Sequence, residues 1–429
     1  MGVLIAVGSV LAPTSARAAI CKASGYEAKG RIPDDVLVEA GELASQGKYA
    51  DARAAYLFVL ARKPDDPAAL FGLARIDSWE GCRALAEREY GRILEKHPRD
   101  SDVRAGWIDV LLWQGRYLEA EALIDRGLEL DPKAPALMLR RARLLYWRGE
   151  ATKAVALADE AQRLAPQDGD IAAERDRMYR GEVRLTGRMD KYPERFPNLY
   201  SLGIQVLQRF GRYEGYVGAQ LLRRVGGDDR TSVIDARVPV GVIYHPAIGA
   251  AVGGEVAIGA PGEGIPDVAL KGWVLAPLVL NVSGYLSYSF WHFDNSALVH
   301  ILNPSLTLTV PPIDLRLGVG AWISVLNLPP APNGTSTSDE ALAVGLSAAA
   351  PITRRLEVGA MYSYGVQLDQ NPSLLQILHF KSHVVTGYTD ILFDRSKGIR
   401  PVFAFERRES PSGLIIGIFS AELGMYVRW

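Results

Sequence analysis

The sequence predicts an α + β multidomain chain. An N-terminal α-solenoid of about four helical repeats is followed by an antiparallel transmembrane β-barrel of about 12 strands, an even number as such barrels require. Three observations carry this. Glycine, alanine and proline recur at a fixed interval through residues 33–166. The apolar period changes from helical spacing to two from Leu199 onward. The last strand is amphipathic and stops on the aromatic Trp429.

Charge divides the chain at the same place. Of 48 Lys+Arg and 49 Asp+Glu, residues 1–198 hold 31 and 31, leaving 48 − 31 = 17 and 49 − 31 = 18 for residues 199–429. The net charge of −1 gives no basic surface for nucleic acid. Two cysteines exclude a disulfide framework and a structural zinc site. The expected organisation is a signal peptide over 1–18, repeats over 33–166, a capping helix and linker over 167–198, and a barrel over 199–429.

The leader is expected from the short apolar run Val3 to Pro13, followed by the small-x-small pattern Ala16-Arg17-Ala18. The run is too short to cross a bilayer as a helix. Cys21 leaves three fates open: lipidation, disfavoured by Ile20 where a small residue is wanted, a free thiol, or a pair with Cys82. No later segment carries the ~18 consecutive apolar residues of a membrane helix, so any membrane entry is by strands.

Gly47, Gly81, Gly115 and Gly149 are 34 apart, as are Ala52, Ala86, Ala120 and Ala154, and Pro64, Pro98, Pro132 and Pro166. This pattern resembles four tetratricopeptide (TPR) repeats. Glycine suits the tight reversal between paired helices, alanine their closest approach, and proline the end of the second helix. Tyr49 and Tyr117 stand two residues after the turn glycine in repeats 1 and 3, where repeat 2 has Arg83 and repeat 4 has Ala151. Residues 167–195 read as one further polar helix that caps the stack. Trp79, Trp113 and Trp147 keep the same interval, each two residues before the turn glycine. They read either as packing against the next repeat or as aromatic platforms for a peptide or sugar. Arg75, Asp109 and Arg143, four residues earlier in each repeat, are expected on the same concave face, where they would supply polar contacts.

In the second half Leu315, Leu317, Val319, Ala321, Ile323 and Val325 fall on one face, opposite Arg316, Gly318, Gly320, Trp322 and Ser324. Leu356 to Val366 repeats the arrangement, and similar runs occur at 200–206, 213–221, 282–290 and 399–405, broken by turns at 225–229 and 394–398. A soluble sandwich would expose more lysine than Lys271, Lys381 and Lys397, so the barrel is favoured. Trp273, Tyr285, Trp291, Tyr362 and Trp429 are expected in the membrane girdles. Residues 328–340, rich in proline, read as an external loop. The final strand places Phe419, Ala421, Leu423, Met425, Val427 and Trp429 on one face, against Ser420, Glu422, Gly424 and Arg428. Phe419, Leu423, Met425, Val427 and Trp429 look like the terminal β-signal that the barrel-assembly machinery recognises in bacterial outer-membrane proteins.

An exported TPR array followed by such a barrel resembles the outer-membrane components of bacterial exopolysaccharide export, such as those for cellulose and poly-N-acetylglucosamine. It looks most like the YaiO-type barrel proteins with TPR repeats, although the large exporters carry more repeats and a wider barrel. The resemblance implies an outer-membrane protein of a Gram-negative bacterium with its TPR domain in the periplasm. The implied partners are periplasmic proteins, outer-membrane lipid and a polysaccharide; no nucleic acid and no cofactor is implied. Two alternatives stand beside export: a scaffold that recruits partners and transports nothing, and a lipid hydrolase of the barrel rim. A hydrolase would use one of His245, His292, His300, His379 or His383 beside a serine. Ser289 and His292 are three apart and so lie on opposite faces of a strand. No Cys/His cluster has metal-ligand spacing, and Gly249–Gly264 lacks the Lys-Ser/Thr ending of a phosphate loop. No enzymatic activity is therefore expected.

Overall fold

The computed structural model describes residues 23–25, 32–193, 196–225, 233–260, 265–279, 281–294, 296–310, 313–329, 338–353, 355–366, 381–394, 396–410 and 413–429. The expected leader, Cys21, His379, most of the 225–229 turn and most of the proline-rich 328–340 segment lie outside them. The chain forms two compact units, Met1–Arg141 and Ala142–Trp429.

Helices come in pairs: α1 (Pro33–Ser45) and α2 (Tyr49–Leu60), α3 (Pro67–Trp79) and α4 (Arg83–Lys96), α5 (Ser101–Trp113) and α6 (Tyr117–Leu130), α7 (Pro135–Trp147) and α8 (Ala151–Leu164). Each pair turns on its repeat glycine. Gly47, Gly81, Gly115 and Gly149 have φ of 75°, 79°, 71° and 82°, a left-handed conformation that glycine adopts without steric cost. The repeat alanines 52, 86, 120 and 154 are each 0% exposed, where a larger side chain would hold the helices apart. Helix starts are periodic too. Asp66, Asp100 and Asp168 accept hydrogen bonds from the first-turn amides of α3, α5 and α9 (Gly169–Arg175). In the first unit the rings of Tyr56 and Tyr90 fill the space beside Gly72 and Gly106, where a Cβ would collide with them. The resulting cores join neighbouring pairs: Val36, Ala55, Val59, Leu73 and Ile76 in one cluster, Leu70, Tyr90, Ile93, Val103 and Val110 in another.

The expected capping helix is much shorter than 167–195. Helix α9 spans seven residues, and the chain enters strand β1 (Gly181–Lys191) well before Leu199. Fourteen strands, two more than expected, then form a closed antiparallel barrel in which each pairs with its sequence neighbours and β1 pairs with β14 (Ile415–Arg428). The closing register runs from Glu182↔Arg428 to Lys191↔Phe419. Between them lie β2 (Asn198–Phe210), β3 (Tyr213–Val225), β4 (Val233–Tyr244), β5 (Ala251–Gly259), β6 (Val268–Val279), β7 (Val282–His292) and β8 (Leu298–Val310). The remainder are β9 (Leu315–Asn327), β10 (Ser338–Thr353), β11 (Leu356–Val366), β12 (Lys381–Leu392) and β13 (Lys397–Glu409). The shortest has 9 residues and the longest 16, enough to cross a bilayer's hydrocarbon when tilted.

Alternation gives this wall an apolar outside. Leu202, Ile204 and Val206 on β2, Val238, Val240 and Val242 on β4, and Leu342, Val344 and Leu346 on β10 all point outward and are exposed. No soluble monomer sustains so continuous an apolar belt; the barrel spans a membrane. Aromatic pairs mark both ends of the belt. Tyr213 packs against Phe210 and Tyr244 near the end where β1 begins. Tyr288 and Tyr362 bond the ring nitrogens of His300 (2.7 Å) and His383 (2.8 Å) towards the other end. Connections at the first end are short, as between Phe210 and Tyr213; at the second they lengthen, as between Val366 and Lys381. No described helix is long and apolar enough to cross a membrane.

Candidate functional site in the barrel lumen

Two sets of residues compete for the role of functional site: the TPR face singled out by the tryptophans, and the barrel lumen. On the TPR side, Trp79 lies 5.8 Å from the ring of Tyr49 and beneath the guanidinium of Arg75 at 4.8 Å, and is half-buried. Trp113 and Trp147 are each 39% exposed. Asp109 is held by Arg140 through paired contacts of 2.5 and 3.2 Å, and Arg143 is bound to Glu174. Two of the three polar positions expected to greet a partner are thus engaged within the protein. Arg75 remains exposed, stacked on its tryptophan.

A buried charge cluster in the first unit was not foreseen. Arg53 on α2 bonds Asp77 and, at 2.6 Å, Glu80, while Cys82 follows in a disulfide. Asp77, Glu80 and Cys82 have ligand atoms within 4.8 Å of one another. Their donors are nevertheless committed, the sulfur to a disulfide and both carboxylates to one guanidinium. Burial pushes the Asp77 carboxyl up to about 6 and Glu89 nearby up to about 7.

The lumen is built by the other half of each alternating strand. Charges sit there in pairs: Glu182 with Arg184 (2.6 Å) and Arg428 (2.8 Å), Arg209 with Glu214 (2.6 Å), Arg237 with Glu255 (3.3 Å), Arg316 with Glu357 (2.6 Å), and Arg400 with Asp390 (2.5 Å). Large rings stand beside them, each over a glycine of the adjacent strand: Tyr216 over Gly241, Trp273 over Gly253, Trp322 over Gly345, Tyr388 over Gly359, and Tyr426 over Gly398. A Cβ at any of these glycines would collide with the ring. Trp273 and Tyr285, 6.1 Å apart, and Trp291 therefore belong to the lumen and not to the membrane girdles, which correctly claim Tyr362 and Trp429. Phe419, Leu423, Met425 and Val427 face outward with Trp429, as the terminal strand pattern requires.

Between these pairs the lumen opens into a cavity of about 420 Å³. Ser287 and Ser289 on β7, Asn303 on β8, Ser324 on β9 and Ser363 on β11 supply its polar wall. Trp291 and Trp322 supply flat apolar faces, and Lys271 on β6 brings the lining's one charge among the described residues. The volume lies within the ~300–1,000 Å³ range of small-molecule sites. Ser289 shares this cavity while His292 lies on the outer face, so the two do not meet. His300 and His383 likewise belong to the exterior aromatic clusters.

Residues 43–106 and 111–174 match the tetratricopeptide repeat family model. The TPR assignment of the helical half stands on that match and on the periodic glycines and alanines together. Comparison with curated proteins found no match. Among solved structures, a monoaromatic hydrocarbon channel (CymD) is 10% identical with a TM-score of 0.42, covering 60% of this chain and 91% of its own. A bacterial polysaccharide outer membrane secretin is 12% identical with a TM-score of 0.40, covering 58% and 99%. A thermophilic TPR protein from Thermus thermophilus is 21% identical with a TM-score of 0.31, covering 34% and 80%. Likenesses of this degree carry no argument about function.

The TPR tryptophans were legible from spacing, but the lumen cavity was not, because its lining comes from strands joined only in the folded barrel. A signal for it existed in strand parity. Lys271 and Trp273 are two apart and so share a face, and a lone lysine on one face of a membrane strand marks that face as the wet one.

Proposed function

We propose that this protein sits in the outer membrane of a Gram-negative bacterium, holds its TPR array in the periplasm, and takes part in secretion or assembly of an exopolysaccharide. The observation that supports it is the cavity chemistry: serine hydroxyls, an amide and indole faces together suit a sugar, whose hydroxyls hydrogen-bond and whose ring faces stack. The disulfide at Cys82 suits an oxidising compartment. In this reading the TPR face recruits periplasmic proteins, the barrel-assembly machinery inserts the barrel through its terminal strand, and no catalytic residue or cofactor is assigned. The test pairs conductance of the purified barrel in planar lipid bilayers with surface polymer in a deletion strain. An open channel and lost polymer support the proposal; a sealed barrel with unchanged polymer rejects it.

A second reading, a scaffold that recruits and transports nothing, draws on the rings that occupy the lumen at Tyr216, Trp273, Trp322, Tyr388 and Tyr426. It predicts altered polymer in the deletion strain together with a barrel that does not conduct.

A further inference from the structure

The cavity wall is electrostatically one-sided. Lys271 is its only charged residue among those described, and no carboxylate lines it. The acid opposite Lys271 in the strand register is Glu255 on β5. Its two oxygens are taken by the Tyr216 hydroxyl at 2.6 Å and by Arg237 at 3.3 Å. Among the described residues Lys271 makes no ion pair, whereas the lumen arginines 184, 209, 237, 316, 400 and 428 each have a carboxylate partner. Lys271 is also exposed within the lumen, so its ammonium is open to a solute.

An unneutralised cation inside a low-dielectric wall attracts anions more strongly than it would in open water. Around it the cavity offers neutral hydrogen-bonding groups at Ser289 and Asn303 and stacking faces at Trp291 and Trp322. Trp322 is held against the wall by the notch at Gly345, so its ring is already placed before any ligand arrives. A hydrocarbon would leave the hydroxyls and the ammonium unpaired, and a neutral sugar would leave the ammonium unpaired.

We propose that this cavity binds an acidic saccharide, its carboxylate on the Lys271 ammonium and its sugar faces on Trp291 and Trp322. The inference rests on the exopolysaccharide reading above and adds to it the charge class of the polymer.

The test is calorimetric titration of the detergent-solubilised full chain with a trimer of galacturonic acid and, separately, with maltotriose. The acidic trimer is expected to bind at least about tenfold more tightly than maltotriose, and to weaken as salt is added. Lys271→Gln should reduce that affinity by about tenfold and leave maltotriose unchanged, while Lys271→Arg should retain it. Heat-modifiable migration confirms that each variant is a folded barrel. Equal affinity for the two trimers, no binding of either, or an unchanged affinity in Lys271→Gln overturns the inference. Bilayer conductance and surface polymer report separately on transport. Acid-selective binding in a sealed barrel keeps this site and removes export; conductance and polymer loss without acid-selective binding keep export and remove this site.

Discussion

Arg209 donates a hydrogen bond to the hydroxyl of Tyr146, joining the end of β2 to the end of α7 across 63 positions of sequence. Within the compact unit that begins at Ala142, the same guanidinium lies 4.3 Å from the ring of Tyr179 and 5.0 Å from that of Tyr146. Arg428 covers the ring of Tyr179 at 4.5 Å and bonds Glu182. The last helices of the array are therefore tied to the barrel rim by cation–π contacts and charged hydrogen bonds. Hydrogen bonds to charged groups contribute about 1.5–3 kcal/mol each. Tyr146→Phe should accordingly raise native-state trypsin cleavage at Lys153 and Arg163 of α8 by about tenfold or more, through local opening. Arg209→Ala should do more, because it also leaves the buried Glu214 without its cation. An unchanged cleavage rate in both variants would show that the contacts do not hold α8 in place.

Stability of the helical array should fall as pH rises through the acidic range. Glu89 titrates at about 7 in the folded chain against 4.5 for the free side chain, chiefly because it is buried, with Asp77 adding repulsion. Between those values the folded protein keeps the proton that the unfolded chain has released. Raising the pH from about 4.5 to 7 therefore costs up to about 1.4 kcal/mol per unit from this group, and nothing further above that range. Glu89→Gln should flatten the dependence and raise the melting temperature at pH 8, followed by helical circular dichroism of the full chain in detergent. A variant with the same slope as the parent would remove Glu89 as its source.

The two faces of β8 should respond oppositely to charge. Leu306 points to lipid and Thr307 to the lumen. An arginine on the lipid face near the midplane costs about 2–4 kcal/mol, whereas a lumen arginine meets water. Leu306→Arg should reduce the yield of heat-modifiable barrel and lower its urea midpoint; Thr307→Arg should assemble normally. The reverse order would invert the assignment of inside and outside.

Reduction should loosen the first unit. Cys82 is disulfide-bonded beside the Arg53–Asp77 cluster. Cys82→Ser, or reductant, should destabilise the helical array by about 2–4 kcal/mol, seen as a lower helical melting temperature with the barrel's heat-modifiable shift unchanged.

The helical repeats could be read from sequence because their markers act locally: a turn glycine needs positive φ, and an interface alanine needs a small neighbour, whatever else the chain does. The barrel was legible in kind, while its expected number of about 12 strands falls two short of the fourteen that close it. Its first strand escaped because Glu182, Arg184, Arg188 and Asp190 look like the charged face of a capping helix. In a barrel those same charges turn inward and alternate with Val183, Leu185, Gly187 and Met189, so charge density does not mark where membrane crossing begins. Trp273 and Trp291 were misassigned for a related reason. Closeness to a strand end says nothing about which side of the wall a ring occupies, and only parity does. Asp109 and Arg143 occupy equivalent repeat positions, but their partners Arg140 and Glu174 come from neighbouring turns and helices that spacing alone does not bring together.

The pairing of rings with glycines gives the lumen an asymmetric tolerance to change. Trimming Trp322 widens the lumen and leaves the Gly345 notch empty. Adding one methyl group at Gly345, on the strand beside it, fills the notch and swings the indole towards the axis. The width of the lumen is thus written twice, once in the side chain that is seen and once in the bare backbone that lets it lie flat.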